Sequence, residues 1–242
     1  MPEDLRLKGR AAIVTGASSG IGWATALALA GEGAAVLVTA RREQRLRDLC
    51  AAIAERGGRG EWVAGDAADE ATAQACVARA IESFGRLDIL INNAGAGNYK
   101  NLVETSAEEY DALMDANMRS GFVFSRHAAP VMIEQKRGQM IFVSSVAGLQ
   151  GAAGEAVYCA SKFAQVGFAQ ALDAELRKHG IKVGIICPGG VKTEFAVGKG
   201  RTEEGVQSSH MMEPREVAEA IVFACVQPPN LRIPQMTVRH MG

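Results

Sequence analysis

AAIVTGASSGIGWATALALAG, residues 11–31, opens on an apolar run, turns through Gly16, Gly20 and Gly22, and continues as an Ala/Leu-rich segment. A short apolar run closed by a Gly-rich turn reads as a buried strand, and the Ala/Leu-rich continuation reads as a helix. The order is strand, tight turn, helix. The three glycines let the backbone turn sharply and come close to a pyrophosphate, and the N–H groups opening the helix would point at that anion. Ser18, Ser19 and Ile21 complete the loop as candidate cofactor-binding residues. Three residues rather than one separate the first two glycines, so the loop departs from G-x-G-x-x-G. A Gly-rich turn with no ligand looks the same, and the loop by itself leaves both readings open.

Outward from this loop the chain alternates strand and helix. Apolar runs near 10–15, 34–40, 60–65, 87–91, 139–144, 181–187 and 232–238 predict strands; the intervals near 20–32, 43–57, 69–84, 106–136, 155–179 and 214–227 predict helices. Such alternation predicts an α/β fold, a Rossmann-type doubly wound parallel sheet of about seven strands with helices on both faces. Ligands of such sheets collect at the carboxyl ends of the strands. The glycine loop, Asp66, the Asn92-Asn93-Ala94-Gly95 segment, Ser145 and Pro188 each close a predicted strand. Ser106 and Glu109 form a capping box at the start of the long helix, and Pro130 is expected to kink or break its last turns. With no repeat, low-complexity tract or linker, residues 1–242 read as one domain.

The 242 residues are 48% hydrophobic, enough for a large core, and carry a net charge of −1. That balance implies neither a nucleic-acid nor an anionic-membrane partner. Met1 to Gly9 mixes Pro, Glu, Asp, Arg and Lys, and no apolar run approaches the roughly 18 residues that span a bilayer, so a cytoplasmic location is expected. Cys50, Cys76, Cys159, Cys187 and Cys225 lack C-x-x-C spacing, and His127, His179, His210 and His240 form no ligand pair. Buried reduced thiols and no metal site are expected.

Tyr158 and Lys162 stand four residues apart in Y-C-A-S-K, thirteen residues after Ser145. On a helix, i and i+4 share a face, so the ammonium can lie beside the phenol. A phenol ionises near pH 10, and a neighbouring positive charge favours phenolate; Lys162 is expected to draw the Tyr158 pKa down toward working pH. A phenol so tuned gives a proton to a carbonyl oxygen or takes one from a hydroxyl. A solvated helical face carries the same spacing, and it is the company of the other motifs that favours chemistry.

With T-G-x-x-x-G-x-G, Asn92-Asn93-Ala94-Gly95, Ser145, Y-x-x-x-K and Pro188-Gly189 in that order, the chain resembles a short-chain dehydrogenase/reductase from about Lys8 to Val238. The resemblance implies Tyr158 as proton donor or acceptor, Lys162 as the group that lowers its pKa and bonds the nicotinamide ribose, and Ser145 as the hydrogen-bond donor to the substrate oxygen. It implies that Asn117 interrupts the long helix and helps hold a water behind Lys162 in a proton relay. Ser144 and Asn92 read as structural, Asn92 by holding strands together. Asp66 is implied to bind the adenine amino group with the Ala67 N–H beside it, or else is a turn residue. Asn93, Ala94, Gly95, Pro188, Gly189, Val191 and Thr193 are implied to line the dinucleotide. Ala40 stands at the end of the second strand where an NAD site places an acidic residue, and it is followed by Arg41 and Arg42. A guanidinium pairs with a 2′-phosphate, so NADP(H) is the expected cofactor, with Arg41 as clamp and Arg42 as helper; both could instead belong to the charged face of the next helix.

The substrate pocket is expected to be walled by Gly97, Asn98, Tyr99, Ala147, Leu149, Gln150, Gly189 and Phe195, under a mobile lid from Glu194 to Met212 rich in Gly and polar residues. Lys199, Arg201 or His210 could meet a substrate carboxylate, or could be plain surface charge. By resemblance the substrate is a small hydroxy acid or ketone, with a 3-oxoacyl thioester as alternative. Relatives that bind a dinucleotide without turnover typically lack the Tyr or Lys, and both are present here. The resemblance also implies a homo-oligomer, dimer or tetramer, paired through the two long helices. The Ala164 to Ala169 stretch suits a close helix contact or a place against the sheet.

Overall fold

The computed structural model describes residues 5–241; Met1 to Asp4, part of the leading segment read above, lie outside them. Seven parallel strands, β1 (Ala11–Thr15), β2 (Ala35–Ala40), β3 (Arg59–Ala64), β4 (Ile89–Asn92), β5 (Gly138–Val143), β6 (Ile181–Pro188) and β7 (Gln235–Val238), form one sheet in the order β3-β2-β1-β4-β5-β6-β7. The central strands β1, β4 and β5 are buried along their whole length, which is why they read as unbroken apolar runs rather than alternating ones. The edge strands β3 and β7 are half open.

Successive side chains of a strand point to opposite faces, and each face has its own core. Ala12, Val14, Val36, Val38, Ile89, Ile91, Ile141 and Val143 pack against Ala26 and Leu29 of α1 (Gly20–Gly31), Leu46, Leu49 and Ile53 of α2 (Glu43–Glu55), and Val217, Ile221 and Val222 near the end of the chain. Ile13, Leu37, Leu90, Met140, Phe142, Val183 and Ile185 pack on the other face against Ala73, Cys76 and Ala80 of α3 (Glu70–Phe84) and against the long helices. The first of those is the segment expected at 106–136. It divides into α4 (Ala107–Met114), a π-turn (Asp115–Arg119) and α5 (Ser120–Glu134). The second is α6 (Ala156–Leu176). The Ser106–Glu109 capping box forms as read, Ser106 Oγ accepting from the Glu109 N–H at 3.2 Å. Pro130 does not break α5: the helix runs on to Glu134, and the interruption falls fifteen to eleven residues earlier, at the π-turn. The chain ends through α7 (Glu203–Gln207), α8 (Pro214–Cys225) and β7.

Strand order reverses between β1 and β4, whose following loops run apart and open a crevice at the carboxyl edge of the sheet. Among the described residues no helix is long and apolar enough to cross a membrane, and no group of His, Cys, Asp and Glu has metal-site spacing.

Candidate active site

The crevice is a cleft of about 1100 Å³. Its wall takes in Gly16, Ser18, Ser19, Gly20 and Ile21 after β1, Arg41 and Arg42 after β2, Asp66 and Ala67 after β3, Asn93, Ala94 and Gly95 after β4, Ser145 after β5, Tyr158 and Lys162 from α6, and Pro188, Gly189, Val191 and Thr193 at and beyond the end of β6. Two predicted residues stand outside that wall. Gly22 faces the loop itself: a Cβ there would lie 2.5 Å from both Gly16 O and Asn93 Nδ2, so its role is close packing. Asn117 is fully buried behind the cleft.

Thr15, closing β1, ties the two loops of the crevice together. Its Oγ1 accepts from the N–H groups of Asn93 and Ala94 at 3.0 and 2.9 Å, while Asn93 Nδ2 donates to Thr15 O at 2.8 Å. Gly16 needs its positive φ of 65°, and a Cβ there would strike Ala94 Cα at 2.8 Å. Asp66 Oδ1 accepts from the Ala68 N–H at 2.9 Å, a side-chain turn on the cleft wall. Asn92 differs from expectation: it donates from Nδ2 to Ser125 Oγ at 3.1 Å, bonding its strand to α5 rather than to a neighbouring strand.

The two arginines lie differently on the cleft. Arg42 is the N-cap of α2, and the turn carries its guanidinium back over the glycine loop, where Nε and Nη2 donate to Ser18 Oγ at 3.1 and 3.0 Å and Nη2 donates to Ser19 Oγ at 2.8 Å. Its remaining nitrogen pairs with Glu194 at 2.7 Å. Arg41 is exposed at the rim.

On the other side of the cleft, Tyr158 and Lys162 are 5% and 3% exposed, with the ammonium 5.9 Å from the phenol ring centre. Ser145 caps a short turn by accepting from the Ala147 N–H at 3.1 Å, and its hydroxyl lies on the cleft wall with the Tyr158 phenol, whose pKa it acts to lower. The expected lowering of the Tyr158 pKa is not what this environment produces. Burial pushes the phenol well above its usual range, and the negative ends of Tyr99 and Glu155 add to this; Ser145 and Arg201 oppose it without prevailing. Burial also draws the Lys162 pKa down to about 8. Desolvation therefore outweighs the attraction between the two groups, because neither has a counter-charge in contact. Ser144 is structural as read, donating to the Lys162 carbonyl at 3.1 Å.

Asn117 lies in the π-turn. Its side chain accepts from the Ala96 N–H at 2.7 Å and donates to Ala96 O and Ser161 Oγ at 3.0 and 2.8 Å, joining the segment after β4 to α6. Its backbone carbonyl accepts from Gln165 Nε2 at 2.6 Å.

The expected substrate side is lined differently from the sequence reading. Gly97, Tyr99, Ala147, Gly189 and Phe195 line it, whereas Asn98, Leu149 and Gln150 lie outside the lining and are replaced by Glu155, which sequence reasoning missed. The rings of Tyr99 and Phe195 stand 5.6 and 5.9 Å from that of Tyr158. Arg201 lies over both, 5.4 and 5.9 Å from their centres, and Lys199 also reaches the cleft, but exposed His210 does not. The 194–212 segment contains an unforeseen helix, α7, capped by Thr202 Oγ1 accepting from the Gly205 N–H at 3.1 Å. Val206 and Met212 are buried, and Met212 bridges to Val191.

Comparison with known proteins agrees with this architecture. A family model for short chain dehydrogenase matches residues 10–204. The short-chain reductase protein NovJ of Streptomyces niveus is 40% identical over 228 residues, covering 88% of this chain and 85% of NovJ. An uncharacterized oxidoreductase of Thermotoga maritima is 33% identical over 231 residues, 91% of each chain. The crystal structure of a metagenomic short-chain oxidoreductase in complex with NADP superimposes with a TM-score of 0.85 at 33% identity, covering 98% of this chain and 99% of that one.

Proposed function

The chain belongs to the short-chain dehydrogenase family, and from that premise we propose an NADP(H)-dependent oxidoreductase that interconverts a carbonyl and a secondary or primary alcohol. The observation that carries this reading is the cluster of Ser145, Tyr158 and Lys162, buried together on the cleft wall opposite the glycine loop. The loop side fits a dinucleotide: the N-terminus of α1 opens toward the cleft with no capping bond from the side chain of its N-cap, Ser19, so its N–H groups are available to phosphate oxygens. Ala40 leaves the end of β2 without a carboxylate, and Arg42 above Ser18 and Ser19 is the better-placed partner for a 2′-phosphate, with Arg41 as its helper. When bound, the dinucleotide supplies or accepts the hydride.

The remaining steps belong to the chain. In reduction, Tyr158 gives its phenolic proton to the carbonyl oxygen while the Ser145 hydroxyl hydrogen-bonds that oxygen as charge builds on it. In oxidation the proton moves the other way. A phenol held above its usual pKa keeps its proton until the oxygen receiving it has become basic, which suits the acid role. Lys162 holds positive charge beside the forming phenolate.

A small acid is the substrate class that the pocket favours. Arg201 makes no ion pair within 4 Å among the described residues, and a guanidinium lying over aromatic faces keeps in-plane donors for a carboxylate. Assembly as a dimer or tetramer through α5 and α6 is consistent with Phe122 and Phe163, which are 43% and 45% exposed. The five cysteines are free thiols, in keeping with a reducing, cytoplasmic setting.

The test is NADPH oxidation with a panel of small oxo acids and their esters. Turnover is expected with both, with a lower KM for the acids that Arg201→Ala removes. Arg42→Ala is expected to weaken NADPH about 10- to 100-fold while leaving NADH nearly unchanged. No turnover of any carbonyl overturns the enzyme reading, equal use of acids and esters overturns the acid, and equal loss of both cofactors overturns the clamp.

A further inference from the structure

Lys162 is almost wholly enclosed, and its ammonium is held by two neutral oxygens. Nζ donates to the Val143 carbonyl at the end of β5 at 3.1 Å and to Gln165 Oε1 at 3.0 Å. It forms no ion pair among the described residues; the titratable groups facing it are Tyr158 on its own helix and the Cys187 thiol on β6. Gln165, 1% exposed, sits three residues beyond Lys162 on the same face of α6. Its amide has one orientation available. Nε2 donates to the Asn117 carbonyl at 2.6 Å, so a flip would set oxygen against oxygen at one end and an NH₂ group against an ammonium at the other. The π-turn Asp115–Arg119, which departs from the ordinary helical hydrogen-bond register, carries that carbonyl. An irregularity in one helix thus orients an amide on another, and the amide orients the ammonium. A side-chain amide retains its protons at the pH of ordinary catalysis, so this link holds Lys162 in place and does not pass a proton from it.

We propose that Gln165 is the positioning residue of the proton-transfer centre, accepting from Lys162 Nζ in a geometry that the Asn117 carbonyl fixes. The assignment rests on the reading of Tyr158 and Lys162 as the reacting pair. Its test uses the full chain with ¹³Cε-labelled lysine, the Lys162 resonance being identified by its loss in Lys162→Met, and follows that resonance through a pH titration alongside the pH profile of kcat/KM. Gln165→Met keeps volume and removes the acceptor, which disfavours the charged form. Both the Lys162 titration and the alkaline limb of the profile are expected to move down by about one pH unit, with kcat falling about tenfold at neutral pH and the KM for NADPH changing less than about twofold. Gln165→Glu restores an acceptor and is expected to return the titration to its original position or above it. A Gln165→Met protein with an unmoved Lys162 titration overturns the proposal, even if its melting temperature falls, because that is the behaviour of a core filler. Should Gln165→Met not fold, Gln165→Asn, too short to bridge Nζ and the Asn117 carbonyl, is expected to shift the titration in the same direction, and an unmoved titration there overturns the proposal equally. The titration needs no turnover, so an inactive wild type condemns the enzyme reading, while an active wild type with an unmoved titration condemns Gln165 alone.

Discussion

Asp88 enters β4 at the amino edge of the sheet, and Lys162 lies across the end of β5 at the carboxyl edge; the two are buried to the same degree and treated in opposite ways. Asp88 has Arg10 at 3.1 Å, Arg86 at 2.6 Å and the Ala11 N–H at 3.0 Å. Burial alone would raise its pKa, but the Arg86 and Ala11 hydrogen bonds and Arg10 hold the carboxyl below the usual carboxylate range. Lys162 has only a carbonyl and an amide, and burial draws its pKa down to about 8. Both networks satisfy hydrogen-bonding groups; only the first neutralises charge. A buried charge given its partners fastens strands and loops together, whereas one left without a counter-charge is costly to keep and singles out a candidate site for chemistry.

The largest effect that would break this contrast belongs to the carboxyl edge. Tyr158→Phe retains the ring that packs against Tyr99 and Phe195 and deletes the transferable proton. Single-turnover NADPH oxidation is expected to slow about 10²- to 10⁴-fold, with NADPH affinity in a direct titration within about twofold of the parent. Near-normal turnover in that variant would mean the proton comes from elsewhere, and the carboxyl edge would then be no more than another packed corner of the fold.

How much of this was legible beforehand differs along the chain. β1, β4 and β5 are apolar from end to end because both faces of the sheet are covered, so their strands and the turns closing them could be read directly. The turn after β1 was legible because its glycines sit at a strand end, where the backbone needs the positive φ that Gly16 and Gly20 adopt. Readings that depended on where a side chain swings were less secure. Arg41 and Arg42 are adjacent in sequence, and only the turn into α2 decides that Arg42 lies over the glycine loop. Asn98, Leu149 and Gln150 were placed in the pocket by proximity to motifs, but loop geometry points the lining elsewhere and brings in Glu155. The phenol pKa was misjudged because charge proximity is visible in a four-residue spacing and desolvation is not. Gln165 left a signal that went unused: Tyr158, Lys162 and Gln165 are spaced i, i+4, i+7, one helical face, and a polar residue on a face already carrying a buried lysine calls for a partner.

The amino edge supplies the next largest effect. Asp88→Asn keeps an acceptor for the Ala11 N–H but cannot serve two guanidinium groups, and Arg10 and Arg86 retain water access at 22% and 40% exposure. A loss of about 2 kcal/mol is expected, lowering the melting temperature by about 4–8 °C, with kcat of the folded enzyme unchanged. Since the folded carboxyl titrates below its unfolded value, its contribution is complete above the usual carboxylate range and disappears as pH falls through and below it. The variant's deficit should therefore shrink in acid. A deficit that is constant down to pH 3, or a loss of activity at neutral pH without loss of stability, would refute the division between the two edges.

The smallest effect has the opposite sign. Lys162→Met replaces the ammonium with an apolar side chain of similar length, and at pH 6.5 the variant is expected to be more stable than the parent while being inactive. With a folded pKa near 8 and an unfolded value near 10.4, the unfolded parent binds more protons between those limits, so parent stability rises with pH across that window and the cost of burying the charge is fully present below it. That cost is about 3 kcal/mol, and the Val143 carbonyl and Gln165 Oε1, which lose their donor in the variant, offset part of it at roughly 1 kcal/mol each. The net gain should be about 1–2 kcal/mol at pH 6.5 and should narrow as pH rises above 8, vanishing or reversing near pH 10, where the parent no longer carries the charge but the variant still lacks the two hydrogen bonds. Denaturant unfolding of both proteins at pH 6.5, 8 and 9.5 measures the gap at each point. A variant less stable than the parent at pH 6.5, with a gap that does not depend on pH, would place Lys162 with Asp88 as a charge the fold has already satisfied.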